Sequence, residues 1–322
     1  MPRQARLDTP GTLHHVIVRG IEKRKIFEDD HDRNEFVSRM ANLAREGKTA
    51  LYAWALMPNH VHILLRSGVQ GLSKYMRRLL TGYAITYNHR HQRHGHLFQN
   101  RYKSILCEED AYFMELVRYI HLNPIRAHLV ENLTSLSNYP WCGHGVLMGQ
   151  FENKWQEQDY VLSWFGKKEA VARKAYYKYV EEAIFQGRRP ELVGGGLIRS
   201  QGGWSEVLSM RRRKQTEAFD ERILGSGVFV EQIIQEADKK FTRMIQARQK
   251  SKESSRHIQM SCEKAGISMI ELQAGSRRVC ISSVRSRLAV EMVQEYGLSL
   301  AETARQLGIS TTGIAKLLMR KN

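Results

Sequence analysis

Cysteine is scarce. The four in this chain, Cys107, Cys142, Cys262 and Cys280, are far apart, and none belongs to a CxxC pair. That spacing excludes a zinc ribbon and supplies no disulfide framework, which suits a reducing compartment. Long hydrophobic runs are missing too: no stretch approaches the roughly 18 apolar residues that cross a bilayer. The first 19 residues mix Arg3, Arg6, Asp8, His14 and His15 among short apolar runs, with no signal-peptide core. A cytoplasmic protein with no membrane partner is expected. The third absence is local: from Ser67 to Cys107 there is no Asp or Glu.

Hydrophobic residues make up 42% of the 322 and aromatics 9%, enough for ordinary cores and too much for a disordered tail. The length allows two or three domains. Lys and Arg number 50 against 33 Asp and Glu, a formal net charge of +17. A surplus that large resists compaction unless the working partner is a polyanion, so nucleic acid is the first candidate partner.

The first 130 residues alternate between two periodicities. Leu13 to Arg19 is a β-branched run and reads as a strand. Asp29 or Asp30 caps a helix that buries Phe36, Val37, Met40, Leu43 and Ala44 and ends at Gly47. Ala50 to Met57 and Val61 to Leu65 read as strands joined by a Pro58-Asn59 turn. Ser73 caps a second helix, Gly95 to Ile105 is a further strand or hairpin arm, and Asp110 opens a last helix that Pro124 stops. The order β-α-β-β-α-β-α predicts an α+β, ferredoxin-like antiparallel sheet with its helices on one face. From about 131 the composition changes. Residues 132–149 read as a connector, 160–250 as helical with a basic run at Arg211 to Lys214 and glycines at 194–196, and Lys250 to Arg256 as a flexible linker. The expected domains are 1–131, a helical connecting region 132–250, and an all-α C-terminal unit 251–322.

His60-Val61-His62 carries the most chemistry. On a strand, residues i and i+2 share a face, so the two imidazoles stand side by side while Val61 enters the core. Such a pair either grips one divalent cation or forms a hydrogen-bonded structural pair. His89-Arg90-His91 and His94-Gly95-His96 repeat the spacing outside an apolar strand. On the last helix, Tyr119 and Asn123 are four residues apart and face the same way. A phenol with a free pKa near 10 is a weak nucleophile unless a cation or base assists it. A half-buried aromatic and a helix-terminal Asn are the plainer readings of the two. The acid-free segment holds Lys74, Arg77, Arg78, Arg90, Arg93, Arg101 and Lys103, interleaved with Tyr75, Tyr83, Tyr87, Phe98 and Tyr102. Cations that track phosphates beside stacking aromatics suit single-stranded nucleic acid.

Three ordered runs, MPNHVHILL (57–65), GHLFQNRYKSI (95–105) and YIHLNPIRAHLV (119–130), resemble the REP-associated tyrosine transposases, which are HUH single-strand transposases. HHVIVRG (14–20) and IFEDDHDRNEF (26–36) fit the same pattern, so the resemblance covers about 10–130. It implies a DNA transposase with Mg²⁺ or Mn²⁺ on His60 and His62, Tyr119 as the nucleophile, and Asn123 as the third metal ligand. The implied reaction cuts and rejoins single-stranded or hairpin DNA through a 5′-phosphotyrosine. The resemblance leaves open whether the chain acts as a homodimer, and whether the tyrosine serves its own site or a partner's. A non-catalytic regulator descended from a transposase is the rival reading, and an RNA-processing enzyme a third.

The C-terminal end reads independently. Leu300 to Leu307 and Thr311 to Met319 form two short helices around a Gly308-Ile309-Ser310 turn, with Ala304, Gly308 and Ile314 at the packing positions of a helix-turn-helix. Thr311, Thr312 and Lys316 then face duplex DNA. With Arg277 to Val290 before it, the segment resembles the DNA-binding domain of the replication initiator DnaA; an ordinary helical hairpin is the plain alternative.

Overall fold

The structure is a computed structural model that describes residues 7–187, 189, 192 and 220–319. The glycines at 194–196 and the basic run Arg211 to Lys214 lie outside them. The chain divides into two compact units, Met1–Ile234 and Gln235–Asn322. That single division, at 234/235, coincides with neither composition boundary, 131/132 or 250/251.

In the first unit the strands are β1 (Leu13–Arg19), β2 (Ala50–Met57), β3 (His60–Arg66), β4 (Lys103–Cys107) and β5 (Ile223–Leu224). They form one sheet in the order β2-β3-β1-β4-β5. β1 runs antiparallel to both β3 and β4, β2 antiparallel to β3, and the short β5 joins β4 in parallel. The first four strands therefore have the split βαβ order expected, with the hairpin closed by Pro58 and Asn59 between Met57 and its cross-strand partner His60.

Helices α1 (Asp30–Gly47) and α2 (Leu72–Arg90) cover one face, packing Phe36, Met40, Met76 and Tyr83 against Val16, Val18, Trp54, Val61 and Ile63. α1 begins as its sequence indicates, with the Asp29 side chain accepting from the Asp32 amide. α2 does not begin on a Ser73 cap: its leading amides, Leu72 and Ser73, donate to the Asp8 carboxylate at 2.7 and 2.8 Å. The strand expected from Gly95 starts only at Lys103.

Helix α3 (Glu109–His121) lies on the opposite face, burying Phe113, Leu116, Val117 and Ile120 against Tyr52, Ala53, Ala55 and Leu64. The expectation of all helices on one face is corrected here. The reason is visible in β2, where Ala53, Ala55 and Met57 alternate with Trp54 and Leu56, so both faces of the strand are apolar and both require cover. Residues 132–149 are no open connector either. α4 (Asn123–Arg126), α5 (Leu133–Ser137), α6 (His144–Leu147), α7 (Gln158–Ser163) and α8 (Glu169–Glu181) add Leu133, Leu136, Cys142, Leu147, Val161 and Tyr176 to the α3 core.

In the second unit α9 (Gly227–Lys264), which starts in the first, is followed by α10 (Met269–Gln273), α11 (Val279–Gln294), α12 (Leu300–Leu307) and α13 (Thr311–Met319). Ile258, Cys262, Leu272, Ile281, Leu288, Leu307 and Ile314 make its core. The expected linker Lys250 to Arg256 is helical, part of α9, and Ser254 is fully buried with its hydroxyl 3.2 Å from Gln306 Oε1. Polar composition disguised a helix whose serines face a neighbour. Arg285 is buried as well, and its guanidinium donates to the carbonyls of Leu272 and Ser276.

Gly308 has φ +67°, and a Cβ there would stand 1.9 Å from the Gln273 carbonyl oxygen. Gly266 has φ +66° with open space around it. Gly308→Ala is therefore expected to destabilise the second unit by about 2–3 kcal/mol. Gly266→Ala should cost about 1 kcal/mol, the left-handed strain alone. Thermal unfolding of the full chain followed by helical ellipticity tests this, and equal losses in the two variants would contradict the close approach.

Candidate functional site

The alternation along β3 sets the site. Val61, Ile63 and Leu65 enter the core under α1 and α2, so His60, His62 and Leu64 project to the α3 side. The rings of His60 and His62 lie 5.2 Å apart, centroid to centroid. His62 is buried and pairs across the sheet with Ile17 and Ala55. Two residues before Ile17 on the same face of β1 stands His15, fully buried, with its ring 5.2 Å from that of His62. Its Nε2 is 2.9 Å from His62 Nδ1, and its Nδ1 is 3.0 Å from the Leu192 carbonyl. His60 Nδ1 meets the side-chain oxygen of Asn59 at 2.7 Å.

α3 delivers Tyr119 to the same place. The half-buried phenol ring lies edge-on to His62 at 5.9 Å and to His15 at 6.0 Å. Asn123 sits at the end of the helix, where its amide nitrogen donates to the carbonyls of Tyr119 and Ile120 at 3.0 and 3.3 Å, leaving its oxygen as the end not used by those bonds. The Arg126 guanidinium stands 5.4 Å from the Tyr119 ring centre; its Nη2 donates to the Gln186 carbonyl, while buried Nε and Nη1 have no acceptor among the described residues.

Burial drives the imidazoles neutral. It lowers His60 to about 4, with the Arg19 charge adding to the effect. It lowers His15 to about 4, and His62 well below its ordinary value, with His15 and His60 contributing. Neutral rings keep a lone pair, and with both Nδ1 atoms engaged the Nε2 atoms of His60 and His62 are the nitrogens that remain. That donor set fits a divalent cation. Among the described residues no group of three or more His, Cys, Asp or Glu could hold a metal ion. A cation here would draw its further ligands from an amide, water or a substrate phosphate.

The basic residues singled out in the acid-free segment scatter. Lys74, Arg77 and Arg78 are exposed on α2, which covers the face of the sheet away from the imidazoles. Arg78 pairs with Glu46 at 2.7 Å, and Arg90 pairs with Asp29 and with buried Asp32, the latter at 2.6 Å. The balancing acids come from α1 and its cap, 32 to 61 positions earlier, so the local absence of acid was no measure of free positive charge. His91 also meets Asp32, at 2.9 Å. Arg93 donates to the His96 carbonyl, and Arg101 is exposed. Lys103 stands nearer the imidazoles: it pairs across the sheet with Ile17 and lines a cleft with Ile17, Arg19, Gln99, Asn100 and Tyr102. His15, Asn59 and Arg126 carry roles at this site that were not read from the sequence. His15 was within reach, since HHVIVR puts it on the same strand face as Ile17, yet only the β1–β3 register reveals that this face adjoins His62.

In the second unit, α12 and α13 meet at the Gly308 turn with Ala304, Leu307 and Ile314 buried, and Thr311, Thr312 and Lys316 are exposed on α13.

Residues 10–123, about a third of the chain, match the family described as transposase, IS200-like. Among solved structures, one of a REP-associated tyrosine transposase bound to a REP hairpin is similar, with 15% identity over 49% of this chain and 98% of that one, at a TM-score of 0.39. Comparison with curated proteins gives no match.

The neutral histidines make stability depend on pH. Burial holds His144 at about 3 and His14 and His15 at about 4, against about 6.5 for a free imidazole. As pH falls below about 6.5, the unfolded chain takes up protons that the folded unit refuses. Stability is therefore complete above that value and drops on acidification by about 1.4 kcal/mol per pH unit for each such ring. Urea unfolding between pH about 7 and about 5 should show a steep loss for the first unit, made shallower by one ring in His144→Gln; a flat profile would overturn it.

Proposed function

With residues 10–123 matching the IS200-like transposase family, we propose that the chain cleaves and rejoins single-stranded or hairpin DNA with Tyr119 as nucleophile. The observation that carries this reading is the placement of the Tyr119 ring 5.9 Å from that of His62, on the sheet face where His60 and His62 stand together. The Tyr119 oxygen attacks the scissile phosphorus, the 3′-oxygen leaves and takes up a proton, and the phenolic proton passes to solvent. A 5′-phosphotyrosine and a free 3′-hydroxyl result. Rejoining reverses the sequence: a 3′-hydroxyl attacks the phosphotyrosine and the phenol is restored. One phosphodiester is exchanged for another, so no external energy source is required.

His60 and His62 would hold the cation through their Nε2 atoms, with the Asn123 carboxamide oxygen as a third donor. A bound Mg²⁺ or Mn²⁺ supplies Lewis acidity to the phosphate, with two nitrogen donors favouring Mn²⁺ over the oxygen-seeking Mg²⁺. The chain's own residues do the positioning. α3 fixes the phenol, β3 fixes the imidazoles, and Lys103 with Arg19 flanks the path of the strand. The second unit contributes duplex binding, with α13 presenting Thr311, Thr312 and Lys316 to DNA.

Two measurements test the reading. With Mn²⁺ present, wild type incubated with labelled hairpin DNAs should give a covalent protein–DNA band on a denaturing gel, absent in Tyr119→Phe and with chelator. If no adduct forms while duplex binding stays tight, the regulator reading replaces catalysis. For the second unit, Lys316→Gln should weaken duplex binding by several-fold and reduce the slope of log K against log salt by about one; an unchanged slope would remove Lys316 from the DNA interface.

A further inference from the structure

A short hydrogen-bonded chain runs through the floor of the site. The Leu192 carbonyl lies 3.0 Å from His15 Nδ1, and His15 Nε2 lies 2.9 Å from His62 Nδ1. Each link needs one proton and one lone pair. A carbonyl can only accept, so His15 Nδ1 carries a hydrogen. In a neutral ring that leaves His15 Nε2 as an acceptor, and His62 Nδ1 must then be the donor. His62 is forced into the Nδ1–H tautomer, with its lone pair on Nε2. His60 reaches the same state separately, because the side-chain oxygen of Asn59 accepts from its Nδ1 at 2.7 Å.

We infer that His15 is a positioning residue that, through the Leu192 carbonyl, fixes the tautomer of His62 and so keeps the His62 Nε2 lone pair available to a divalent cation. This rests on the proposal that His60 and His62 hold the cation. The physics is that of outer-shell partners in metal sites, where the group bonded to the far ring nitrogen sets both tautomer and ring orientation. Here the partner is a second imidazole rather than a carboxylate. It passes on the preference of a backbone carbonyl without adding negative charge beside the phosphate that the site is to receive. Burial of both rings strengthens the constraint, because water cannot substitute for a missing acceptor. Without an acceptor at position 15, the His62 ring is free to move its proton to Nε2, and the lone pair then points away from the cation site.

The test reads the tautomer and the affinity separately. In metal-free full-length protein labelled with ¹⁵N-histidine, long-range ¹H–¹⁵N spectra should show His62 protonated on Nδ1, with the signal assigned by its loss in His62→Ala. His15→Phe should lose that single tautomer and weaken Mn²⁺ binding, measured by calorimetry, by about 10–100-fold. His15→Gln, whose side-chain oxygen accepts from His62 Nδ1, should restore both to near wild type. A wild-type His62 carrying its proton on Nε2 overturns the inference whatever the variants do. So does a His15→Phe protein that folds and binds Mn²⁺ unchanged. If His62→Ala itself leaves Mn²⁺ affinity intact, the cation-site reading fails and takes the purpose of the relay with it, while the tautomer spectrum still reports whether the chain of bonds exists.

Discussion

The site depends on α3 lying against the face of the sheet that carries the imidazoles. Four apolar side chains do this, Phe113, Leu116, Val117 and Ile120, each buried against β2 and β3. Complete burial of such side chains is worth roughly 1.5–3 kcal/mol apiece, far more than any polar contact at the site. The hydroxyl of Tyr176 adds direction. It lies 2.7 Å from His121 Nδ1 and 2.7 Å from His144 Nδ1, donating to one ring and accepting from the other. His121 is two residues beyond Tyr119, so this buried bridge ties α6 and α8 to the end of the tyrosine helix. The helices after residue 132 are therefore part of what positions Tyr119.

Electrostatics divide the first unit by face. On the α1–α2 side, Asp29, Asp32 and Glu46 take up Arg90 and Arg78. Near α3, Glu115 binds both Arg118 and Arg189, at 2.5 and 3.2 Å. The 50 Lys and Arg residues thus overstate the cations free to meet a polyanion, since several are paired with acids inside the fold; the net charge of +17 already has those acids subtracted. What stands beside the imidazoles is a smaller set, Arg19 and Lys103 across from His60 and Ile17. A narrow cationic edge suits a single strand threaded past one point better than a broad duplex footprint.

Local chemistry was legible in the sequence wherever it acts between neighbours. The Pro58-Asn59 hairpin, the Asp29 cap and the Gly308 turn all depend on residues within a few positions of one another. The face chosen by α3 was not legible from periodicity, although one deduction could have reached it. If Val61 enters the core, His60 and His62 point the other way, and a tyrosine helix that meets them must lie there too. The Asp8 cap on α2, the α1 acids that neutralise Arg78 and Arg90, and the Leu192–His15–His62 chain all join residues dozens of positions apart. Composition failed in a different way at 132–149 and 250–256. Asn132 and Ser254 resemble loop residues, yet one caps a helix and the other packs inside one.

The end of α3 shows why a proline and an asparagine sit together so close to Tyr119. Pro124 has no N–H, so the carbonyl of Ile120, four residues earlier, loses the donor that would have continued the helix. The Asn123 amide supplies it, at 3.3 Å, and reaches the Tyr119 carbonyl as well. Two consequences follow from one side chain. The last turn beneath Tyr119 is closed rather than frayed, which holds the phenol against His62. The amide is also oriented, because its nitrogen is committed to the helix and its oxygen must face elsewhere. A carboxylate at 123 could ligate a cation but could not donate to those carbonyls, and it would set a negative charge against the C-terminal end of the helix dipole. An amide is the side chain that can close the helix and still present an oxygen.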